Sequence, residues 1–291
     1  MKFLKKIFGG LEITWPKLII AAVIAGVYTG IMAMLPFTKY TSFRDISISF
    51  ECWIVFGVII IMNSKSALDS ALKCFVFFLI SQPLVYIVQL PFSNIGTQIL
   101  SYYKNWIGWT ILTFIMGFVG YYMKKDKWWG VLILLPMLAF LAEHAMGFLS
   151  KTIFWFPHHL LSFLLCIAAM FGLVFLIFTD KKARIIGTVF SAVLTVAIVA
   201  VCIVNPPVYK TTFAVKDSAD VELDNTYAVA LADKRYGDVE FIYDEGIESY
   251  LVSAKFKKAG KTELILTAPD GTKLVYDLTI GYDNYDLKLK Q

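Results

Sequence analysis

The sequence predicts an α-helical membrane bundle of about seven spans over residues 1–204, followed by a water-soluble all-β module over residues 205–291. Three observations carry this. Apolar residues make up 58% of the 291-residue chain and charged residues only 17%, with a mean hydropathy of +0.68. Ordinary globular chains hold roughly 45–50% apolar and about 25% charged residues. Seven stretches reach the length of about 20 mostly apolar residues that a spanning helix needs. Finally, residues 1–204 hold 16 Lys and Arg against 7 Asp and Glu, whereas residues 205–291 hold 11 against 15. The sign changes at Pro206–Pro207, a pair that cannot continue a helix and marks a boundary. This composition excludes a soluble enzyme, a disordered tail and a disulfide scaffold. A net charge of +5 with no basic face gives no reason to expect a nucleic-acid partner.

The first 37 residues resemble a secretory signal only superficially. Their apolar stretch exceeds the 7–15 residues of a signal h-region, and no small-x-small cleavage site follows, so a retained first span is expected. Before it, Phe3, Leu4, Ile7 and Phe8 interleave with Lys2, Lys5 and Lys6. That pattern suits a short helix lying on an anionic inner leaflet. The spans are expected near 17–37, 46–62, 70–90, 106–123, 128–149, 157–178 and 185–204. The third is broken by Ser81, Gln82, Pro83 and Gln89, and such helices survive where neighbours satisfy the freed backbone. It should therefore sit inside the bundle.

Orientation follows from Lys and Arg in short loops. With the N-terminus inside, the inner segments hold Lys2, Lys5, Lys6, Lys17, Lys65, Lys73, Lys124, Lys125, Lys127, Lys181, Lys182 and Arg184. The outer loops hold only Lys39, Arg44, Lys104 and Lys151. Seven spans then place the C-terminal module outside the cell membrane, where it can dock an external envelope partner. Trp106, Trp109, Tyr121, Tyr122, Trp128 and Trp129 fall at the span ends and read as aromatic belts. Asp69 and Lys73 read as a helix ion pair. Ala22, Gly26 and Gly30 form a small-residue stripe that lets helices approach closely, within one chain or between copies in an oligomer. Leu35-Pro36-Phe37 and Leu90-Pro91-Phe92 hint at a repeat, but no matching pair of broken helices supports a transporter of repeated halves. Cys52, Cys74, Cys166 and Cys202 all lie in spans and read as small apolar groups.

After Val208 the pattern changes to period-two alternation. Tyr250, Val252, Ala254 and Phe256 share one face, as do Leu274, Tyr276, Leu278 and Ile280, and Pro269-Asp270-Gly271 is a turn between strands. Strands are expected at 209–215, 218–224, 227–233, 237–244, 249–257, 261–268 and 272–281. Seven short strands in under 90 residues suggest an immunoglobulin-like sandwich. The run Lys257-Lys258-Ala259-Gly260-Lys261-Thr262-Glu263-Leu264-Ile265-Leu266-Thr267, then Asp270-Gly271 and Tyr276-Asp277-Leu278-Thr279-Ile280, resembles bacterial immunoglobulin-like domains over about 75 residues. The resemblance implies a structural or adhesive module with no catalytic residues.

Chemistry in the bundle is expected from one place. His144, His158 and His159 are the only histidines, and Glu143 adjoins the first. Glu51 and Glu143 should lie about 8–9 Å below the outer ends of their spans, at 1.5 Å per residue, with His158 and His159 at the outer interface. Ionisable groups within a membrane are costly and mark pathways, relays or ligands. Glu51, Glu143, His144, His158 and His159 are thus the candidate polar site, open to the outside. The structural alternative is that His158 and His159 cap a helix after Pro157, while Glu51 and Glu143 pair with Arg44 or Lys151. Two carboxylates and three imidazoles suit a divalent ion, but no H-E-x-x-H spacing occurs, so no metal is expected. There is no phosphate loop, G-x-S-x-G, paired C-x-x-C or dinucleotide fingerprint, so no cofactor is expected either. Non-enzymatic handling of a small solute or lipid, or envelope assembly, is favoured; an outer-leaflet enzyme using the Glu and His residues is the alternative.

Overall fold

The structure is a computed structural model and describes residues 2–217 and 222–290, leaving aside the side chains of Lys2, Leu4 and Lys5. Helices come first: α1 (Lys2–Ile7), α2 (Trp15–Met34), α3 (Ser42–Ile48), α4 (Phe50–Met62), α5 (Ala67–Gln89), α6 (Lys104–Gly120), α7 (Gly130–Phe154), α8 (Leu160–Ile177) and α9 (Lys181–Val204). Among the described residues six helical segments are long and apolar enough to cross a membrane, α6 counting with its flanking 3-10 turns as Gly96–Lys125, and there are up to seven if α3 and α4, bent by 43°, count as one. The stretch expected as the second span is thus two helices that meet at a bend. The break falls at Ser49, whose extended backbone (φ −91°, ψ 168°) ends α3 and serves as the N-cap position of α4. Both Leu-Pro-Phe segments form 3-10 turns directly after long helices, as proline at a helix end allows.

By contacts the chain divides into two compact units: Met1–Phe148 with His159–Val199, and Leu149–His158 with Ala200–Gln291. In the first unit α5 packs against both α2 and α6. The stripe Ala22, Gly26 and Gly30 is buried and faces α5 of the same chain. A Cβ on Gly26 would come 2.5 Å from the Ser81 carbonyl oxygen, and one on Gly30 would come 2.8 Å from that of Val85. Gly117 brings α6 equally close to α5, at 2.9 Å from the Ser70 oxygen. The polar helix α5, continuous through Pro83, therefore lies between two neighbours that approach it on glycine. Gly26→Val is expected to lower stability by about 1–3 kcal/mol, the usual cost of overpacking. Thermal unfolding of the purified chain measures this, and an unchanged midpoint would refute the close α2–α5 approach.

The Lys-rich segments of the first unit gather at one end. Asn63 after α4 accepts from the Leu11 N–H (2.7 Å) and donates to the Ile7 carbonyl (2.6 Å). The Tyr121 hydroxyl and the Lys124 ammonium donate to the carbonyls of Lys65 (2.8 Å) and Ser64 (2.6 Å). Asp126 accepts from the Thr179 N–H (2.8 Å), the Asp180 N–H (3.1 Å) and the Thr179 hydroxyl. Burial works against its charge, but these hydrogen bonds outweigh burial and hold its carboxyl below the ordinary aspartate value. Asp69 and Lys73 form the expected ion pair at 2.8 Å, and Ser66 caps α5 by accepting from the Asp69 N–H.

The second unit holds two antiparallel sheets. β1 (Tyr209–Phe213), β3 (Gly237–Asp244) and β4 (Ser249–Phe256) form one in the order β1-β4-β3. β2 (Ala228–Leu231), β5 (Gly260–Thr267), β6 (Lys273–Ile280) and β7 (Tyr285–Leu289) form the other in that order. Alternation places Val252, Ala254 and Phe256 with Leu264, Leu266, Tyr276, Leu278 and Ile280 in one shared core. Gly271 (φ 88°) supplies the left-handed turn residue between β5 and β6. Of the strand expected at 218–224, residues 218–221 lie outside the described residues, and Glu222 makes only an isolated bridge to Lys216. β7 was not expected, because its burial alternates only between intermediate and exposed. The end of α7 joins this core: Phe154 is 1% exposed, its carbonyl accepts from the Ala259 N–H (2.8 Å), and its ring meets Tyr282 edge-on.

Candidate functional site

The break at Ser49 positions two carboxylates. Asp45 lies in the first turn of α3 and Glu51 in the first turn of α4. Acidic groups there answer the partial positive charge of a helix N-terminus. The Ser49 hydroxyl links the two short helices, donating to the Asp45 backbone carbonyl and lying 2.6 Å from Glu51 Oε1. Each half of the broken span is then tied to a different long helix. Asp45 Oδ2 lies 2.6 Å from His159 Nδ1 at the start of α8 and accepts from the Ser162 hydroxyl at 2.9 Å. Glu51 Oε2 lies 3.4 Å from His144 Nδ1 on α7.

These two pairs differ in kind. The Asp45–His159 contact is short enough for a charge-assisted hydrogen bond. The Glu51–His144 contact exceeds hydrogen-bond distance, and Glu51 Oε2 is buried without a hydrogen-bond partner among the described residues. Glu51 is 1% exposed, and the His144 imidazole is the basic group that approaches its Oε2. On its other edge His144 Nε2 lies 3.6 Å from Glu143, whose side chain is 68% exposed. One imidazole therefore stands between a buried and an exposed carboxylate. That order can pass a proton inward or hold a cationic or hydrogen-bonding group at the end of the bundle.

Of the five residues expected as one site, the structure joins Glu51, His144 and Glu143 in a single contact chain. His159 adjoins it through Asp45 and Ser49. It occupies the N-cap position of α8 in a left-handed conformation (φ 64°), but its imidazole goes to Asp45 and makes no helix cap. His158 falls in the second unit, where it stacks on Trp155 at 4.4 Å. Glu51 is met by His144 where Arg44 or Lys151 was the alternative, and the Lys151 ammonium lies over the Tyr282 ring. The residues that sequence reasoning passed over are Asp45, Ser49 and Ser162. The Ser42-x-x-Asp45 spacing is a helix-start signature and was the available signal. Among the described residues, no group of three or more His, Cys, Asp and Glu is placed to hold a metal ion.

Beside these pairs, α4, α5, α6 and α7 line a half-open cavity of about 340 Å³. Its walls are almost wholly apolar, built from Trp53, Phe78, Trp106, Trp109 and Phe140 among others. Phe50 is the hub: its ring meets those of Trp106 (4.8 Å), Phe140 (5.0 Å), Trp109 (5.3 Å) and His144 (5.4 Å). Trp106 and Trp109, expected in an aromatic belt, line the cavity. Phe50 and Phe140 form its boundary with the polar pair, since Phe140 also meets His144 at 5.0 Å. The size lies within the 300–1,000 Å³ typical of small-molecule sites, which combine apolar walls with a few placed polar groups. Compared with known proteins, the chain matches no family, no curated protein and no solved structure.

Proposed function

We propose that this chain is a non-enzymatic, multi-pass membrane protein that binds a lipid-like molecule, with its apolar chain in the α4–α7 cavity and its head at Glu51 and His144. The cavity itself carries the reading: 340 Å³ of almost purely apolar space, separated from a buried carboxylate–imidazole pair by two phenylalanine rings. A polar solute would find almost nothing there to replace its hydration, whereas an acyl chain would. Handling of a lipid for transport or envelope assembly follows, with the β module as a docking surface for an external partner. The test uses Trp53, Trp106 and Trp109 as reporters. Octadecanol brominated at mid-chain should quench tryptophan emission of the detergent-purified chain saturably. Gly57→Phe should remove that saturable component, because a Cβ on Gly57 meets only the Phe78 ring, at 4.0 Å, so the new side chain enters the cavity. Quenching that never saturates would refute the reading.

The same reading takes the β module as immunoglobulin-like and extracytoplasmic. Its strand pairing supports the first. With β1 to β6 taken as strands B to G, the orders B-E-D and C-F-G of that fold appear, and β7 extends the second sheet. The gathering of the Lys-rich segments at one end supports the second, since basic loops stay in the cytoplasm. Reporter fusions at Asp126 and at the C-terminal Gln291 should report opposite sides, the former cytoplasmic. A cytoplasmic Gln291 would overturn the orientation.

An outer-leaflet enzyme is the second reading, and the observation favouring it is His144 placed between Glu51 and Glu143. An imidazole oriented by one carboxylate and facing another is suited to general acid–base work. Conversion of the bound lipid by the purified chain, lost in Glu51→Gln with binding retained, would select this reading over the first.

A further inference from the structure

Charge is distributed unevenly along the β1-β4-β3 sheet. Lys255 on β4 stands between Lys210 on β1 and Asp238 on β3, so the three side chains share one face, and all are exposed. The Lys257 N–H donates to the Tyr236 carbonyl (2.8 Å), which brings Lys234 and Arg235 beside Lys257 and Lys258. Six exposed basic side chains therefore gather at one end of this sheet, against Asp233 and Asp238. Those two acids pair with Arg235 (2.8 Å) and Lys257 (2.6 Å). Ion pairs open to water are weak, so both cations can exchange their partner for another anion. Asp283 and Asp286 belong to the β6–β7 side of the module, on the second sheet, where Asp286 pairs with Lys288 (3.0 Å).

The other end of the same sheet is acidic. Asp244 faces Ser249 across the β3–β4 hairpin, whose turn carries Glu245 and Glu248. Glu222 joins them by accepting from the Ser249 hydroxyl (2.8 Å). From Asp238 to Asp244 the register runs six residues, about 20 Å of strand. Salt screens exposed charges over about 8 Å, so the two ends act on their surroundings separately.

The basic end is the one that the chain ties to two apolar helices. β1 begins at Tyr209, opposite Phe256, shortly after α9 ends at Val204. Ala259, next to Lys258, donates to the carbonyl of Phe154, the last residue of α7 (2.8 Å). The two helix ends also meet, with Ser150 Oγ 3.5 Å from Cys202 Sγ. On them Phe156, Ile203 and Val204 are 69%, 70% and 75% exposed. Exposed apolar groups beside a cluster of cations suit an anionic bilayer surface, the former entering the acyl boundary and the latter meeting headgroups.

We infer that this end of the β module binds anionic phospholipid headgroups at the surface where α7 and α9 leave the bilayer, with Lys210, Lys255, Lys257 and Lys258 on the lipid phosphates. The inference rests on the reading of α7 and α9 as membrane spans and does not depend on the α4–α7 cavity. A zwitterionic headgroup carries its own cation beside the phosphate and competes poorly. Attraction at one end and repulsion at the other hold the acidic β3–β4 tip away from the lipid, where an external partner can reach it.

The experiment is lysine acetylation of the full-length chain in nanodiscs, read residue by residue by mass spectrometry. Discs of phosphatidylcholine alone are compared with discs that also contain phosphatidylglycerol. Lys210, Lys255, Lys257 and Lys258 are expected to react roughly fivefold more slowly in the second, the factor that an anionic surface gives a neighbouring lysine. Lys273, which opens β6 at the other end of the module, should keep its rate. Exchanging Lys255, Lys257 and Lys258 together for Gln alters exposed positions that the fold tolerates, and Lys210 should then react alike in both discs. Equal rates in the two discs for the unaltered chain would overturn the inference and leave the proposed function standing. So would slowing of Lys273 to match Lys258, or protection of Lys210 that survives the triple substitution. A chain that does not enter the discs would remove the membrane reading and the inference together.

Discussion

Replacing Phe154 with alanine is expected to destabilise the second unit by about 3–5 kcal/mol, the usual loss for a buried aromatic. Phe154 ends α7 in the sequence, yet the residue is 1% exposed in a core otherwise made of residues 213–280, most of them in strands. The substitution leaves a void beside Tyr282, and the backbone bond to Ala259 loses the packing that holds it in place. Calorimetry of the full chain should show a transition lowered by several degrees or more. Trypsin should also cut the many exposed lysines of the β strands at lower temperature. An unchanged transition would mean that the strands close their core without Phe154.

The second large effect is expected at the buried carboxylate. His144→Ala leaves Glu51 Oε2, buried and without a hydrogen bond among the described residues, without the imidazole 3.4 Å away, and removing one member of a buried pair costs about 3–5 kcal/mol. The cost comes mostly from the stranded charge, so adding Glu51→Gln to His144→Ala should restore much of the loss. A double-mutant cycle on the thermal transition measures this coupling. Additive losses would show that Glu51 and His144 do not depend on one another.

Much of this architecture was legible because the bilayer demands long apolar runs and the strands repeat every two residues. A close approach on α2 was legible too, since Gly26 and Gly30 at four-residue spacing have few uses other than that, but its partner α5 was not. The break at Ser49 was not. Residues 46–62 read as one continuous apolar run, and a 43° bend depends on a single extended residue that nothing in hydropathy distinguishes. Missing the bend hid Asp45, which as part of a connecting loop would have been an unremarkable exposed acid. Placed in a short helix after Ser42, it meets His159 and Ser162 more than a hundred residues away. Such contacts depend on the packing order of the helices, which span counting leaves open. The same limit explains Phe154: its apolar neighbours match those of any span end, and only the tertiary fold assigns it to the strands.

The binding of a lipid chain between α4 and α7 is tested most directly by native mass spectrometry of the full chain released from mild detergent. The chain should carry one lipid that survives the loss of all detergent, while Gly57→Phe, folded and equally apolar, should fly without it. Retention of the same lipid by Gly57→Phe would place the bound molecule outside the cavity and contradict the proposed function.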